Sequence, residues 1–120
     1  MSNSAKSIFV FGIYICVLGI AFVTIPNVLL GLFGIPTTSE VWIRVTGMIL
    51  FLLSSYYFQA ARKEFTEFFR WTVYPRASVI VFFTVFVLLG YAPPILILFG
   101  VIDLSSAIWT YLALRSSTTT

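Results

Sequence analysis

The segment Gly100–Thr110, with the sequence GVIDLSSAIWT, carries one carboxylate, Asp103, near the middle of an apolar run from Pro93 to Leu114. A helix rises about 1.5 Å per residue, so a run of this length covers about 33 Å, enough to cross the hydrocarbon core of a bilayer. An ionised group at that depth costs about 2.5–3.5 kcal/mol on insertion scales, and it therefore requires a partner or a hydrated cavity. We expect the rest of the chain to be organised around the burial of Asp103.

The composition of the 120-residue chain is that of one compact membrane domain. Hydrophobic residues make up 60% of the sequence and charged residues only 9%, whereas soluble domains carry about 25% charged residues. The net charge is +3, but the sequence lacks the basic patch on a folded polar surface that nucleic acid requires. We therefore predict a single transmembrane domain over residues 1–120, with membrane lipids and not nucleic acid as its partners.

Missing residue types exclude several kinds of site. The sequence has no histidine and a single cysteine, Cys16, so this chain alone cannot form a bis-histidine haem site, a disulfide or a Cys-x-x-Cys redox centre. It also lacks the glycine-rich phosphate loop and the Gly-x-Ser-x-Gly elbow. We therefore expect no cofactor, no metal ion and no catalytic residue, and we interpret Cys16 as a buried packing thiol.

Four long apolar segments predict an all-α fold, an integral membrane four-helix bundle. Their bounds are about 6–25, 38–62, 73–91 and 93–114. The first segment is longer than the apolar core of a secretory signal peptide, which has about 7–15 residues, so we interpret it as a membrane helix. It carries a strip of small residues, Gly12, Cys16 and Gly19, which in lipid allows another helix to approach closely.

Two connections between these segments also have characteristic patterns. Pro26 suits the first turn of a helix and Gly34 suits a left-handed C-terminal cap, so we predict a short interfacial half-helix after helix one. A re-entrant loop that gates a substrate is the alternative interpretation of that segment. In the hydrophilic connection, aromatic residues recur at three- and four-residue steps, which predicts that Lys63–Trp71 is a helix lying in the headgroup layer. The short turn Gly90–Pro94 predicts a hairpin of helices three and four.

The cations predict the orientation of the protein in the membrane. Six of the seven Lys and Arg residues fall at one membrane face in this arrangement, namely Lys6, Arg62, Lys63, Arg70, Arg76 and Arg115. Cytoplasmic segments of membrane proteins carry an excess of Lys and Arg. We therefore predict a multi-pass protein of the cell inner membrane, with both termini in the cytoplasm.

Arg44 is the second charge within a predicted span, and it is the candidate partner of Asp103. The two residues lie on helices that enter from the outer face, at depths of about 9 Å and 15 Å, and an arginine side chain is long enough to cover the difference. Ser106 and Thr110 continue the face that carries Asp103. We predict an Arg44–Asp103 ion pair, which either fixes helix packing or, with Ser106 and Thr110, forms a polar cavity for a small ligand or a proton.

Three features of the sequence are shared with a group of known proteins: the segment Pro26–Pro36, Arg44 with Gly47, and Asp103 followed by Ser106-Ala107. Through them the chain resembles small bacterial four-helix membrane proteins of the DoxX-like and related uncharacterised kinds. The resemblance implies a four-helix bundle and a link to respiratory or thiol-redox membrane complexes, and it implies no catalytic residue. Small multidrug-resistance transporters and four-helix thiol oxidoreductases are disfavoured, because this sequence lacks the helix-one glutamate of the former and the paired cysteines of the latter.

These observations favour a non-enzymatic inner-membrane protein that acts as an accessory or scaffold subunit, as a homo-oligomer or within a larger membrane complex. The alternative is a module that binds or transports a small molecule or lipid at a polar site around Arg44 and Asp103. An enzyme ranks third, because acid–base chemistry would rest on one carboxylate without a nucleophile or a metal.

Overall fold

The computed structural model describes residues 1–118 of the chain, and these residues form an all-α fold. They contain five helices and no strand: α1 (Asn3–Thr24), α2 (Pro26–Leu32), α3 (Trp42–Arg62), α4 (Thr66–Leu88) and α5 (Leu96–Thr118). The expected four-helix bundle is therefore wrong. Three of the five helices, α1, α4 and α5, are long and apolar enough to cross a membrane, which identifies a membrane protein.

The second of the four expected spans differs most from its prediction. Its helix, α3, begins at Trp42 and not at residue 38, and Thr38 makes hydrogen bonds that are not those of a helix. The Thr38 hydroxyl accepts a hydrogen bond from the Glu40 N–H at 3.1 Å, and the Thr38 N–H donates to the Asn27 side chain at 2.9 Å. Five polar residues lower the mean hydropathy of α3, namely Arg44, Thr46, Ser54, Ser55 and Gln59. Among the helices of the described residues, α3 is consequently not one of those apolar enough to cross a membrane.

The short helix expected after the first span is confirmed. Pro26 occupies the first turn of α2, as its missing N–H favours. Gly34 has a φ of +70°, and the Ile35 N–H donates to the Leu30 carbonyl at 2.9 Å, which ends the helix in a left-handed cap. Its position in the membrane interface stays a prediction.

α4 combines two segments that the sequence pattern predicts as separate helices. The helix runs without interruption from Thr66 to Leu88, with Pro75 inside it. Membrane helices tolerate an internal proline because neighbouring groups satisfy the backbone atoms that it frees. The aromatic segment after Lys63 therefore forms the first turns of a long helix, and one of its rings, Phe69, is fully buried.

The chain divides into two compact units. Unit 1 contains Met1–Ile8 with Ala60–Thr120, and unit 2 contains Phe9–Gln59. In unit 1, α4 and α5 form the expected hairpin, with Gly90 at a φ of +81° in the turn. The two helices approach closely where Gly100 meets Ile80, since a Cβ on Gly100 would lie 2.9 Å from the Ile80 Cα.

In unit 2, α1 and α3 pack against each other in antiparallel directions. Their backbones meet at Gly19 and Gly47, where a Cβ on Gly19 would lie 2.7 Å from the Gly47 carbonyl oxygen. Towards the other end, the rings of Phe9 and Phe58 lie 5.1 Å apart between centroids. The strip of small residues on helix one therefore serves helix packing, as expected, although Cys16 is only half-buried.

The contact at Gly19 leads to a test of stability. Gly19→Ala should force α1 and α3 apart, because the new methyl group meets backbone atoms that cannot move independently of their helix. Overpacking of this kind costs typically about 1–3 kcal/mol, and thermal melts in one detergent measure it as a lower Tm. Gly31→Ala in α2 is the matched control, since a Cβ there has open space around it. Equal Tm values for the two variants would contradict the close contact.

Candidate functional site

Four buried polar side chains lie together in unit 1, where the first turns of α1 meet α4 and α5. We refer to Ser7, Thr72, Arg76 and Thr110 as the polar cluster. Arg76 is only 3% exposed, and Ser7 and Thr110 are fully buried. Polar groups at such depth are stable only when they are hydrogen-bonded, so their contacts define what the cluster does.

Thr110 is the centre of the polar cluster. Its hydroxyl oxygen lies 2.6 Å from the Ser7 Oγ, and it accepts a hydrogen bond from Arg76 Nη1 at 3.1 Å. The Ser7 hydroxyl is within 2.6 Å of the Ser4 carbonyl, and the Thr110 hydroxyl within 3.2 Å of the Ser106 carbonyl. A hydroxyl has one proton, so two arrangements satisfy the bond between the hydroxyls. Either Ser7 donates to the Ser4 carbonyl and Thr110 donates to Ser7, or Thr110 donates to the Ser106 carbonyl and Ser7 donates to Thr110. In each arrangement Arg76 donates to Thr110.

Arg76 connects this centre to its own helix. Its Nη1 also lies 3.3 Å from the Thr72 hydroxyl, one turn earlier on α4, and that hydroxyl donates to the Phe69 carbonyl at 2.8 Å. The Nε and Nη2 atoms of Arg76 are buried as well. An arginine cannot lose its charge in a protein, so the cluster contains a permanent positive charge inside unit 1.

Asp103 supplies the opposite charge. It lies about two turns before Thr110 on α5, it is half-buried, and it interacts electrostatically with Arg76. The Ser106 hydroxyl donates to the backbone carbonyl of Asp103 at 2.8 Å.

The four residues expected to form the site are distributed over both units. Asp103, Ser106 and Thr110 follow one another along α5 in unit 1, whereas Arg44 belongs to unit 2 and donates a hydrogen bond from Nη1 to the Val23 carbonyl. The Arg44–Asp103 pair stays a prediction.

Sequence reasoning missed three members of the polar cluster, Ser7, Thr72 and Arg76. Arg76 was assigned to the cations of the membrane face because it follows the hydrophilic connection, yet it is buried. The available signal was the spacing of Thr72 and Arg76, which places both on one helical face with an apolar residue, Phe69.

The polar cluster connects helices through side-chain hydrogen bonds. Thr110 is bonded to Arg76, 34 residues away in the sequence, and to Ser7, 103 residues away. Among the described residues, no group of three or more His, Cys, Asp or Glu side chains is placed to hold a metal ion. The arrangement therefore provides a charged, hydrogen-bonded contact between α1, α4 and α5.

Two double-mutant cycles separate the possible partners of Asp103. We expect Asp103→Asn to couple with Arg76→Gln by about 1 kcal/mol or more, because each single change leaves a buried charge without its counter-charge. In water-soluble proteins, breaking a buried pair costs typically about 3–5 kcal/mol. The value is smaller in a membrane protein, because the polar groups also find partners in the unfolded state. The second cycle replaces Arg76→Gln by Arg44→Gln and measures the pair expected from the sequence. Thermal melts in one detergent give both values, and a coupling near zero for Arg76 would contradict the assignment.

Compared with models of known protein families, with curated proteins and with solved structures, the chain matches none of them.

Proposed function

We propose that this protein is a small non-enzymatic accessory or scaffold subunit of the inner membrane. The observation that carries the proposal is that the polar cluster makes hydrogen bonds within the protein. Its hydroxyl groups and the Nη1 atom of Arg76 bond to one another and to the backbone of their own helices. A cluster arranged in this way stabilises the packing of α4 and α5 with the first turns of α1, and a fixed outer surface is what a scaffold presents to its partner.

The outer faces of the helices support the same proposal. Large apolar side chains are exposed along α1, α4 and α5, for example Val17, Val81, Leu88 and Leu112. Exposed apolar surface of this extent is covered by lipid, by a second copy of the chain or by another subunit. The resemblance to DoxX-like proteins suggests a respiratory or thiol-redox membrane complex as the larger assembly.

We also propose that both termini lie in the cytoplasm. The Ser2 N–H donates to a Glu64 carboxylate oxygen at 2.9 Å, and the Trp109 indole donates to the Asn3 side chain at 3.2 Å. Hydrogen bonds from the Ser2 side chain and backbone hold the pKa of the Glu64 carboxyl below its usual value. The start of α1, the connection before α4 and the end of α5 are therefore neighbours in unit 1. Basic residues surround this end, which supports a cytoplasmic assignment by the positive-inside rule: Lys6, Arg62, Lys63, Arg70 and Arg115.

A ligand-binding module is the second candidate, and one groove favours it. In unit 2, a cavity of about 450 Å³ is lined by apolar side chains of α1 and α3, among them Ile20, Met48 and Phe51, together with the single cation Arg44. Pockets that hold small molecules are mostly apolar with a few polar groups that set the orientation. A lipid or another amphipathic anion has the chemistry that this groove would accept.

The scaffold proposal is tested by the size of the native assembly. After cross-linking in native membranes and mild extraction, we expect the full chain in a complex of constant stoichiometry with itself or a partner. Thr110→Val keeps the shape of the side chain but removes the bonds to Ser7 and Arg76, and it should release the complex by loosening unit 1. Loss of a buried hydrogen-bond partner costs about 1–3 kcal/mol. Ser105→Ala, at an exposed position of the same helix, is the control. A wild-type monomer without a stoichiometric partner would contradict the proposal and favour the ligand-binding module.

The orientation is tested by cysteine labelling in a Cys16→Ser background. Because the basic end is proposed to be cytoplasmic, a membrane-impermeant maleimide added from outside should modify Thr37→Cys and spare Thr66→Cys. Labelling after the membrane is permeabilised shows that both positions react. Modification of Thr66→Cys alone in intact cells would reverse the proposed orientation.

A further inference from the structure

A second polar feature of unit 1 lies outside the polar cluster, in a groove on the hairpin of α4 and α5. The cavity has a volume of about 230 Å³, and six residues line it: Arg70, Val73, Tyr74, Tyr111, Leu114 and Arg115. We refer to it as the basic groove. Neither the scaffold proposal nor the polar cluster uses these side chains.

The basic groove has the same pattern on both of its walls. On α4 the lining residues are Arg70, Val73 and Tyr74, and on α5 they are Tyr111, Leu114 and Arg115, so each wall is one helical face with spacings of three and four residues. The helices run antiparallel, because Ile80 lies against Gly100 and Arg76 lies against Thr110. Each wall therefore contributes one guanidinium group, one phenol and one aliphatic side chain.

The antiparallel arrangement also sorts these groups into layers. Arg70 lies level with Arg115, and Tyr74 lies level with Tyr111, about 6 Å further along the hairpin. Val73 and Leu114 are buried and form the apolar floor, whereas the two arginines and the two tyrosines are exposed. Two guanidinium groups at one level form a positively charged site that attracts an anion.

We propose that the basic groove binds the phosphate group of an anionic phospholipid. Arg70 and Arg115 donate to the phosphate oxygens, since guanidinium groups match the geometry of phosphate. The tyrosine hydroxyls lie at the level of the glycerol and ester groups, and Val73 and Leu114 contact the first methylene groups of the acyl chains.

The position of the groove distinguishes a lipid from a dissolved phosphate. Arg115 and Arg70 lie near one end of two helices that are long and apolar enough to cross a membrane. Tyrosines at such helix ends sit at the headgroup level of the bilayer, and basic pockets between membrane helices on the cytoplasmic side bind anionic headgroups. A floor of aliphatic side chains beneath the arginines suits acyl chains and offers nothing to a free phosphate ion.

The experiment measures lipid retention by the full-length protein. The protein is reconstituted in nanodiscs of phosphatidylcholine with a small fraction of phosphatidylglycerol, and native mass spectrometry of the released protein counts the lipids that remain bound. We expect the wild type to retain phosphatidylglycerol at least tenfold over its share of the bilayer, and Arg70→Gln with Arg115→Gln to abolish this enrichment. Arg62→Gln with Lys63→Gln removes the same charge from the same end outside the groove, and it should leave the enrichment unchanged.

A second pair of variants tests the geometry at constant charge. Arg70→Lys with Arg115→Lys keeps both positive charges but loses the planar fork of donors, and we expect several-fold less enrichment with an unchanged melting temperature. Equal losses in the groove variant and the Arg62/Lys63 control would overturn the proposal, because they indicate diffuse attraction to the charged end. Equal retention of phosphatidylcholine and phosphatidylglycerol by the wild type would overturn it as well. Displacement of the bound lipid by millimolar inorganic phosphate would assign the groove to a soluble anion instead.

Discussion

The hydrogen bonds from the buried guanidinium group of Arg76 are the interaction on which unit 1 depends. A guanidinium group in an apolar interior is tolerated only with hydrogen-bond acceptors and a counter-charge in the correct places. The acceptors are the hydroxyl groups of Thr110 and Thr72, and Asp103 is the acidic residue that interacts with Arg76. If α5 slid along α4, the Thr110 hydroxyl would move away from Arg76, so this hydrogen bond, together with the close contact of Gly100 and Ile80, favours one register of the hairpin. Ser7 extends the same constraint to the first turns of α1.

Unit 2 is held by a different physical means. There, α1 and α3 meet where two glycines, Gly19 and Gly47, bring the backbones together. In a lipid environment the hydrophobic effect does not drive helices together, so close van der Waals packing and interhelical hydrogen bonds take its place. Unit 1 combines interhelical hydrogen bonds with one close glycine contact, Gly100 against Ile80, whereas the close approach in unit 2 rests on its two glycines. Loss of a hydroxyl group is therefore expected to weaken unit 1, and addition of a methyl group at Gly19 to weaken unit 2.

The features that the sequence predicted correctly are those with a local signal. Pro26 and Gly34 bracket α2, and the short turn at Gly90 produces the α4–α5 hairpin. The number of helices was wrong, and α4 was split, because Pro75 resembles a boundary yet lies within a continuous helix. The site was found only in part. Thr110 shares a helical face with Asp103, but its partners lie 34 and 103 residues away, and no periodicity along the chain indicates such a contact.

Two arginines of α4, Arg70 and Arg76, lie in different environments on the same helix. Six residues separate them, which at 3.6 residues per turn places them about 120° apart around the axis. Arg76 is consequently buried against α5, while Arg70 is exposed in the basic groove. The sequence shows only two arginines near a hydrophilic connection, and both count equally towards orientation by the positive-inside rule. The two arginines differ in burial, and this difference indicates different roles. The inner charge requires partners within the protein, whereas the outer charge is available to an anionic membrane surface, so replacing Arg76 alters helix packing and replacing Arg70 alters the contact with lipid.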